Sequence, residues 1–404
     1  MKRHLVLGLL IVTSVAIAEA CTVAVLSGKC TRDGRPLLWK HRDTGELQNA
    51  LVTFTGDRFA FVGLIDATDS LRESVWVGVN AAGFAIMNSA SYNLILKDTV
   101  KAKDREGIIM KKALGSCATL LEFEQFLKDL PKPLGVEANF GVIDASGGAA
   151  FYEVDNFTFR KLDANDSTVA PFGYILHTNF SYTGDPNRGA GHIRYATAER
   201  LFSEARERGS LDERFLLQEA SRCLKHSLTG TDLSAEGMRT PPSVRFVHFE
   251  DYIPRFITSA SVVVQGVRAG ESPELATFWT ILGSPLTSIV APVWIGGGAA
   301  LPSLLAPVGK GNAPLCEKSL ALKKRLFPIR RSYGERYLNL PALVNSEGTG
   351  VLQLLKPLED RIFEEASAKL ERWRKDGKHR TELPQFYQWL DETITAEYSR
   401  LFKL

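Results

Sequence analysis

Strand-like and helix-like segments come in blocks along this chain, and the order of those blocks constrains the fold more than any single motif does. Residues 21–27 (CTVAVLS) are apolar and β-rich, 31–36 (TRDGRP) form a turn, and 37–43 (LLWKHRD) read as a second strand, so the chain opens on a hairpin. Further strands are expected at 51–54, 59–64, 75–79 and 84–89, with the turn Asn80-Ala81-Ala82-Gly83 between the last two. A helical stretch follows at about 104–130, its second helix opened by Cys117-Ala118-Thr119. Strands return at 139–144, 149–154 and 172–178, followed by a helix pair at 192–208 and 211–227 and a hairpin of 262–267 with 276–282. The Gly/Pro/Ala-rich stretch 292–314 reads as loop, and from about residue 341 the chain is helical, with an amphipathic segment at 358–374. This succession predicts an α+β layered fold in which two sheets lie between helix layers.

The amino terminus carries a different signal. Lys2, Arg3 and His4 form a basic start, residues 5–18 are apolar apart from Thr13 and Ser14, and Ala18-Glu19-Ala20 supplies a small-x-small cleavage site. The apolar run falls short of the roughly 20 residues needed to span a bilayer. It is read as a signal peptide (1–20) cut after Ala20, making the protein secreted or periplasmic, with no stable membrane insertion after the cut. The most apolar later stretch, 282–305, is broken by Pro285, Pro292 and Gly296-Gly297-Gly298.

Lys and Arg total 49 against 46 Asp and Glu, a net charge of +3, which gives no electrostatic reason to expect nucleic acid or an anionic membrane as partner. A small soluble substrate is the better expectation. Export permits disulfides, and five cysteines (Cys21, Cys30, Cys117, Cys223, Cys316) leave at least one thiol unpaired. Their spacing matches no zinc site. The cut falls directly before Cys21, and a new N-terminal cysteine brings its own base: an α-amine with a pKa near about 8 takes the thiol proton directly or through a water.

Such a nucleophile needs partners. Asp43, on the strand paired with the first, is placed to hold the Cys21 amine, and Lys40 and Arg42 closely precede it. Asn88 and Asn179 each end an apolar strand, where a carboxamide can serve an oxyanion hole.

Cys21-Thr22, Gly28-Lys29 and Asp33-Gly34-Arg35-Pro36-Leu37-Leu38-Trp39-Lys40-His41-Arg42-Asp43 together resemble the start of the N-terminal-nucleophile (Ntn) hydrolases. The nearest resemblance is to the group related to isopenicillin N acyltransferase and carcinine hydrolase, itself related to the choloylglycine hydrolases. Gly78-Val79-Asn80 with Gly83-Phe84-Ala85, Asn139-Phe140-Gly141-Val142-Ile143-Asp144, His177-Thr178-Asn179-Phe180, the strand 258–266 and Trp279-Thr280-Ile281-Leu282-Gly283-Ser284-Pro285 fit the same group.

The resemblance implies a four-layer αββα Ntn-hydrolase sandwich over 21–290 and a loop and helical C-terminal region over 291–404. It implies Cys21 as nucleophile, Asp43 as holder of its amine, Asn179 as side-chain donor to the oxyanion and Asn88 as a second Asn of the site. Relatives carry Arg where this chain has Lys40 and Asn where it has His41, so the cation beside Cys21 is Lys40 or Arg42. A late Arg is expected at a strand start, with Arg255 fitting best and Arg245 as its rival. His41, His177 and His248, like Glu153 and Trp39, are read as structural. No metal or organic cofactor is implied. The expected reaction is hydrolysis, or acyl transfer, of a linear non-peptide C–N amide through a Cys21 thioester. A dipeptidase of the same clan and a secreted or lipid-anchored binding protein without turnover are the rivals. The amphipathic C-terminal helices are available for an interface between copies, as in a homo-oligomer.

Overall fold

The computed structural model describes residues 20–95, 100, 103–296, 300–309 and 311–404. The expected leader, apart from Ala20, lies outside the described residues. Two antiparallel sheets form the centre. Strands β1 (Ala20–Leu26), β2 (Leu37–Asp43), β3 (Asn49–Phe54), β4 (Phe61–Asp66), β5 (Val77–Asn80) and β6 (Ala85–Ala90) come first. After them come β7 (Ala138–Ile143), β8 (Ala149–Val154), β9 (Phe159–Asp163) and β10 (Tyr174–His177). The seven strands β3 to β9 form a meander in sequence order. The other sheet runs β10-β1-β2-β14-β15-β16, completed by β14 (Thr258–Gln265), β15 (Thr277–Leu282) and β16 (Val290–Val293). Two small pairs stand apart: β11 (Lys225–His226) with β12 (Thr231–Asp232), and β13 (Phe246–His248) with β17 (Tyr337–Asn339).

The sheets pack face to face, β1 and β2 lying on β6 and β7. Close approach depends on Gly141 of β7, where an added Cβ would sit 2.3 Å from Met87 and 2.9 Å from Val25 of the facing sheet. Strands covered on both faces read as continuous apolar runs, and Val23, Ala24, Val25 and Leu26 of β1 are buried in this way.

Helices cover both outer faces. Helix α1 (Glu106–Ser116) packs on β4, β5 and β6. Helix α2 (Leu120–Asp129) sets Phe123 against Phe84, Phe140 and Tyr152, at ring distances of 6.0, 6.2 and 5.2 Å. Thr119 caps α2 by accepting from Glu122 N, while the Glu122 carboxylate accepts from Ala118 N at 2.7 Å.

On the other side, α3 (His192–Glu207) sets Phe202 against Trp39 at 5.9 Å. Beyond the short α4 (Leu233–Gly237), α5 (Pro314–Leu326) packs on β15; past α6 (Leu340–Leu343), α7 (Val351–Asp376) sets Phe363 against Trp279 at 4.9 Å. Helix α8 (His379–Phe402) packs on α7. The architecture is therefore the four-layer αββα sandwich expected of this α+β chain, with C-terminal helices present.

Several elements differ from the sequence reading. The expected helix 211–227 is a π-turn (Phe215–Glu219), a 3-10 turn (Ala220–Arg222) and then β11. Its polar pattern satisfies a wall around Trp39, whose Nε1 donates to Ser221 and Ser261 hydroxyls, rather than a helical stripe. Strand β9, largely exposed and charged (FRKLD), shows no apolar alternation. Strand β16 and helix α5 fall in or beside the stretch read as loop. The C-terminal helices thus form part of a layer over the six-stranded sheet.

Helix α7 is tied to that sheet by a buried ion pair. Arg222 grips Glu359 with both terminal nitrogens at 2.6 Å, and Glu359 Oε2 also accepts from Val290 N of β16 at 2.9 Å. Glu359 is fully buried. Glu359→Ala strands the guanidinium and is expected to cost about 3–5 kcal/mol in urea unfolding, while the double variant Arg222→Met/Glu359→Leu recovers most of the loss.

Candidate active site

Every residue of β2 is buried, including four ionisable side chains in succession, Lys40, His41, Arg42 and Asp43. Alternate residues of a strand meet opposite faces. Lys40 and Arg42 face the seven-stranded sheet, where Lys40 Nζ donates to the backbone oxygen and Oδ1 of Asn88 on β6, at 2.5 and 2.7 Å. Arg42 forms a fork with Asp66 of β4 (2.6 and 3.1 Å), donates to Asn49 Oδ1 (3.0 Å) and lies 4.8 Å from the Trp76 ring centre. His41 and Asp43 face the helix layer, and Asp43 Oδ1 accepts from Thr258 Oγ1 of β14 at 2.6 Å.

Cys21 sits at the start of β1, directly opposite Arg42, and is buried. Cross-strand partners share a face, so its thiol lies on the side of Lys40 and Arg42. The backbone nitrogen of Cys21 donates to Asn179 Oδ1 at 3.1 Å. Asn179 follows β10 and is held by a bridge to Ala190, and its Nδ2 donates to the carbonyl of Ala90 at the end of β6 (3.0 Å). The preceding residue, Ala20, pairs with Asp43 in register. Asp43 Oδ2 has no hydrogen-bond partner among the described residues, and Arg255 Nη1 stands 3.7 Å from it as an ion pair.

One residue of the cluster was not foreseen. Arg194, on the first turn of α3, is buried and donates through Nη1 to the Cys21 carbonyl (2.7 Å) and Thr22 Oγ1 (2.9 Å), and through Nη2 to Asn179 Oδ1 (2.8 Å). Burial pulls its pKa below the usual arginine value, with Asp43 opposing. Helix α3 can start so close only because Gly191, at φ 82°, has no Cβ: one would sit 2.5 Å from Arg194 Nη2. A glycine directly before a helix is the only trace of this in the sequence.

The structure thus gathers Cys21, Asp43, Asn179 and Arg255 around one strand end, with Lys40 bonded to Asn88 and Arg42 to Asp66 on the thiol's side. Arg245 is not brought there. It pairs with Glu236 and Thr240 beside β13, because that strand joins β17 in a separate small sheet. His177 is spoken for by the turn carrying Asn179, its Nδ1 meeting the Phe180 carbonyl at 3.1 Å. Glu153 accepts from the backbone nitrogens of Tyr182 and Thr183 on the same turn. All five cysteines are free thiols, and among the described residues no group of three or more His, Cys, Asp or Glu is arranged to hold a metal ion.

No protein-family model matches the chain, and no curated protein matches it in sequence. Solved structures similar to it include a Caenorhabditis elegans ortholog of N-acylethanolamine-hydrolyzing acid amidase, at 14% identity over 61% of this chain and 92% of that one, with a TM-score of 0.43. Another is a variant of the conjugated bile acid hydrolase of Clostridium perfringens (10% identity, 69% of this chain, 93% of that one, TM-score 0.41). A third is penicillin V acylase from Agrobacterium tumefaciens (12%, 68% and 86%, TM-score 0.38).

His41 offers a check on the electrostatics of the cluster. Burial, helped by Arg194 and opposed by Asp43, pushes its pKa from 6.5 down to about 4, so it is neutral at neutral pH. The unfolded chain takes up a proton on this residue in that window and the folded chain does not. Its contribution to stability is present above pH 6.5 and is lost as pH falls toward 4, by at most about 1.4 kcal/mol per pH unit. Glu213, raised to about 7 by burial, acts in the opposite sense, so the effect is read as a difference. Urea titrations of wild type and His41→Asn at pH 7, 6 and 5 should show the shallower acid slope in the variant.

Proposed function

We propose that this chain is an exported amide hydrolase whose nucleophile, Cys21, becomes N-terminal when the leader is cut after Ala20. The reading is carried by one observation: the Cys21 nitrogen already rests on Asn179 Oδ1, and the neighbouring backbone position lies opposite a buried carboxylate, Asp43, one oxygen of which accepts no hydrogen bond among the described residues. After the cut the amine keeps Asn179 as acceptor and gains Asp43 as a second.

On this reading the amine takes the thiol proton and the thiolate attacks the amide carbonyl. Lys40, held by Asn88, and Arg42, paired with Asp66, lie on the thiol's side of the strand. Backbone N–H groups receive the oxyanion, with the Asn179 amide NH2, which also donates to the Ala90 carbonyl, as the side-chain donor. The intermediate collapses by breaking the C–N bond, the ammonium returns its proton to the departing amine, and water then releases the acyl group from the Cys21 thioester. The preferred substrate class is a linear non-peptide amide, an N-acyl amine or N-acyl amino acid, with an acceptor amine replacing water where the outcome is transfer.

Two measurements test this together. Intact mass of the exported protein should place the mature terminus at Cys21 with a free amine. In a panel of fluorogenic N-acyl amides and dipeptides, Cys21→Ala should lose on the order of 10⁴-fold or more in kcat. Equal turnover by wild type and Cys21→Ala would end the proposal, and a preference for dipeptides would move the chain to the dipeptidase reading.

A further inference from the structure

Beyond the centre described above, Lys323 is a buried cation with no carboxylate at ion-pair distance among the described residues. Lys323 lies in the last turn of α5, in the part of the chain after the stretch that carries the resemblance, and it is 4% exposed. Its Nζ donates to the carbonyl of Phe256 and stands 4.3 Å from the centre of that residue's ring. Phe256 is sequence neighbour to Arg255, which pairs with Asp43. The same short segment is stitched to the site at other points. Thr44 N donates to the Ile257 carbonyl (3.0 Å), Arg255 N to Thr258 Oγ1 (2.7 Å), and Thr258 Oγ1 to Asp43 (2.6 Å). From α5's C-terminal end, Phe327 packs edge-on against Phe256 at 5.2 Å.

A lysine is costly to bury without a counter-charge. Among the described residues, the direct partners of Lys323 are a carbonyl and an aromatic face, while the charge of Asp43 acts on it in the favourable sense. Burial nonetheless pushes it down to about 7. The charged and titratable groups around it are Asp43 on β2, Cys316 on its own helix, and, through Asp43, Arg255, Arg194 and His41.

We propose that Lys323 is a positioning residue of the Cys21 site: by clamping the Phe256 carbonyl it holds Arg255 on the Asp43 carboxylate, so that α5 completes the centre. The inference rests on the amide-hydrolase reading above. Two effects follow. The first is geometric, because Asp43 is aligned for the Cys21 amine by Thr258 and Arg255, and a shift of the 255–258 segment misplaces it. The second is electrostatic, because a cation near Asp43 disfavours the protonated amine and so keeps more of it in the base form at a given pH.

The test uses the mature full-length protein and compares wild type with Lys323→Met, Lys323→Arg and Arg255→Gln, each checked for an unchanged thermal midpoint. Lys323→Met should lower kcat about tenfold or more with KM within about twofold. It should also shift the acid limb of the kcat/KM profile to higher pH, and the same shift should appear in the alkylation rate of the Cys21 peptide followed by mass spectrometry. Lys323→Arg should restore the limb. In the double variant Lys323→Met/Arg255→Gln the losses should fall short of their product. If Lys323→Met does not fold, Lys323→Gln, which keeps a neutral donor for Phe256 but removes the charge, carries the acid-limb comparison. Wild-type kcat and an unmoved acid limb in the folded variant, or strictly multiplicative losses, would overturn the proposal while leaving the role of Cys21 intact. Activity surviving Cys21→Ala would instead remove the reading on which it rests.

Discussion

The structure turns on the burial of four ionisable side chains in one mid-sheet strand. Lys40, His41, Arg42 and Asp43 are all inaccessible to solvent, and an unpaired charge in such a place costs several kcal/mol. Three of them are answered from different elements: Lys40 by β6, Arg42 by β4, and Asp43 by Thr258 of β14 and by Arg255 in the segment leading into it. The pleat decides the division, sending two of the four toward the facing sheet and two toward the helices. The same polar contacts that satisfy β2 therefore tie three layers to one strand. Apolar residues of similar size would make an easier core, so a row of charges here is better explained by chemistry than by stability.

Arg194 fits into this scheme from above. It donates to Asn179 Oδ1 alongside the Cys21 nitrogen, and two donors on that oxygen fix which way the carboxamide is turned, with its nitrogen donating to Ala90. The orientation of a carboxamide is thereby set by a residue in a helix rather than by the strand that carries it. The helix position in turn depends on a glycine at its cap.

Much of the architecture was legible because its cause is local. The apolar runs of β1, β5, β6, β7 and β8, the cap at Thr119 and the β14–β15 hairpin all follow from short-range pattern and turn chemistry. The position of Cys21 beside Asp43 was legible for the same reason, since one hairpin register brings them near. What escaped was set by distant contacts. The 211–227 segment winds irregularly to reach Trp39 and Glu359, β9 is an exposed edge with no alternation, and Arg194 is separated from Cys21 by most of the domain in sequence. The preference for Arg255 over Arg245 rests on the resemblance alone, because both precede strands and only the sheet pairing tells them apart.

One feature of β1 reaches beyond its geometry. The strand starts at Ala20 rather than at Cys21, so the residue upstream of the proposed cut is already part of the sheet and pairs with Asp43. An uncut chain folds with the proposed nucleophile in place but with its nitrogen locked in a peptide bond, which has no basic lone pair. On the proposed chemistry the precursor is a zymogen in the strict sense: it is fully assembled, and its silence comes from one missing proton acceptor rather than from a blocked cleft or a displaced loop.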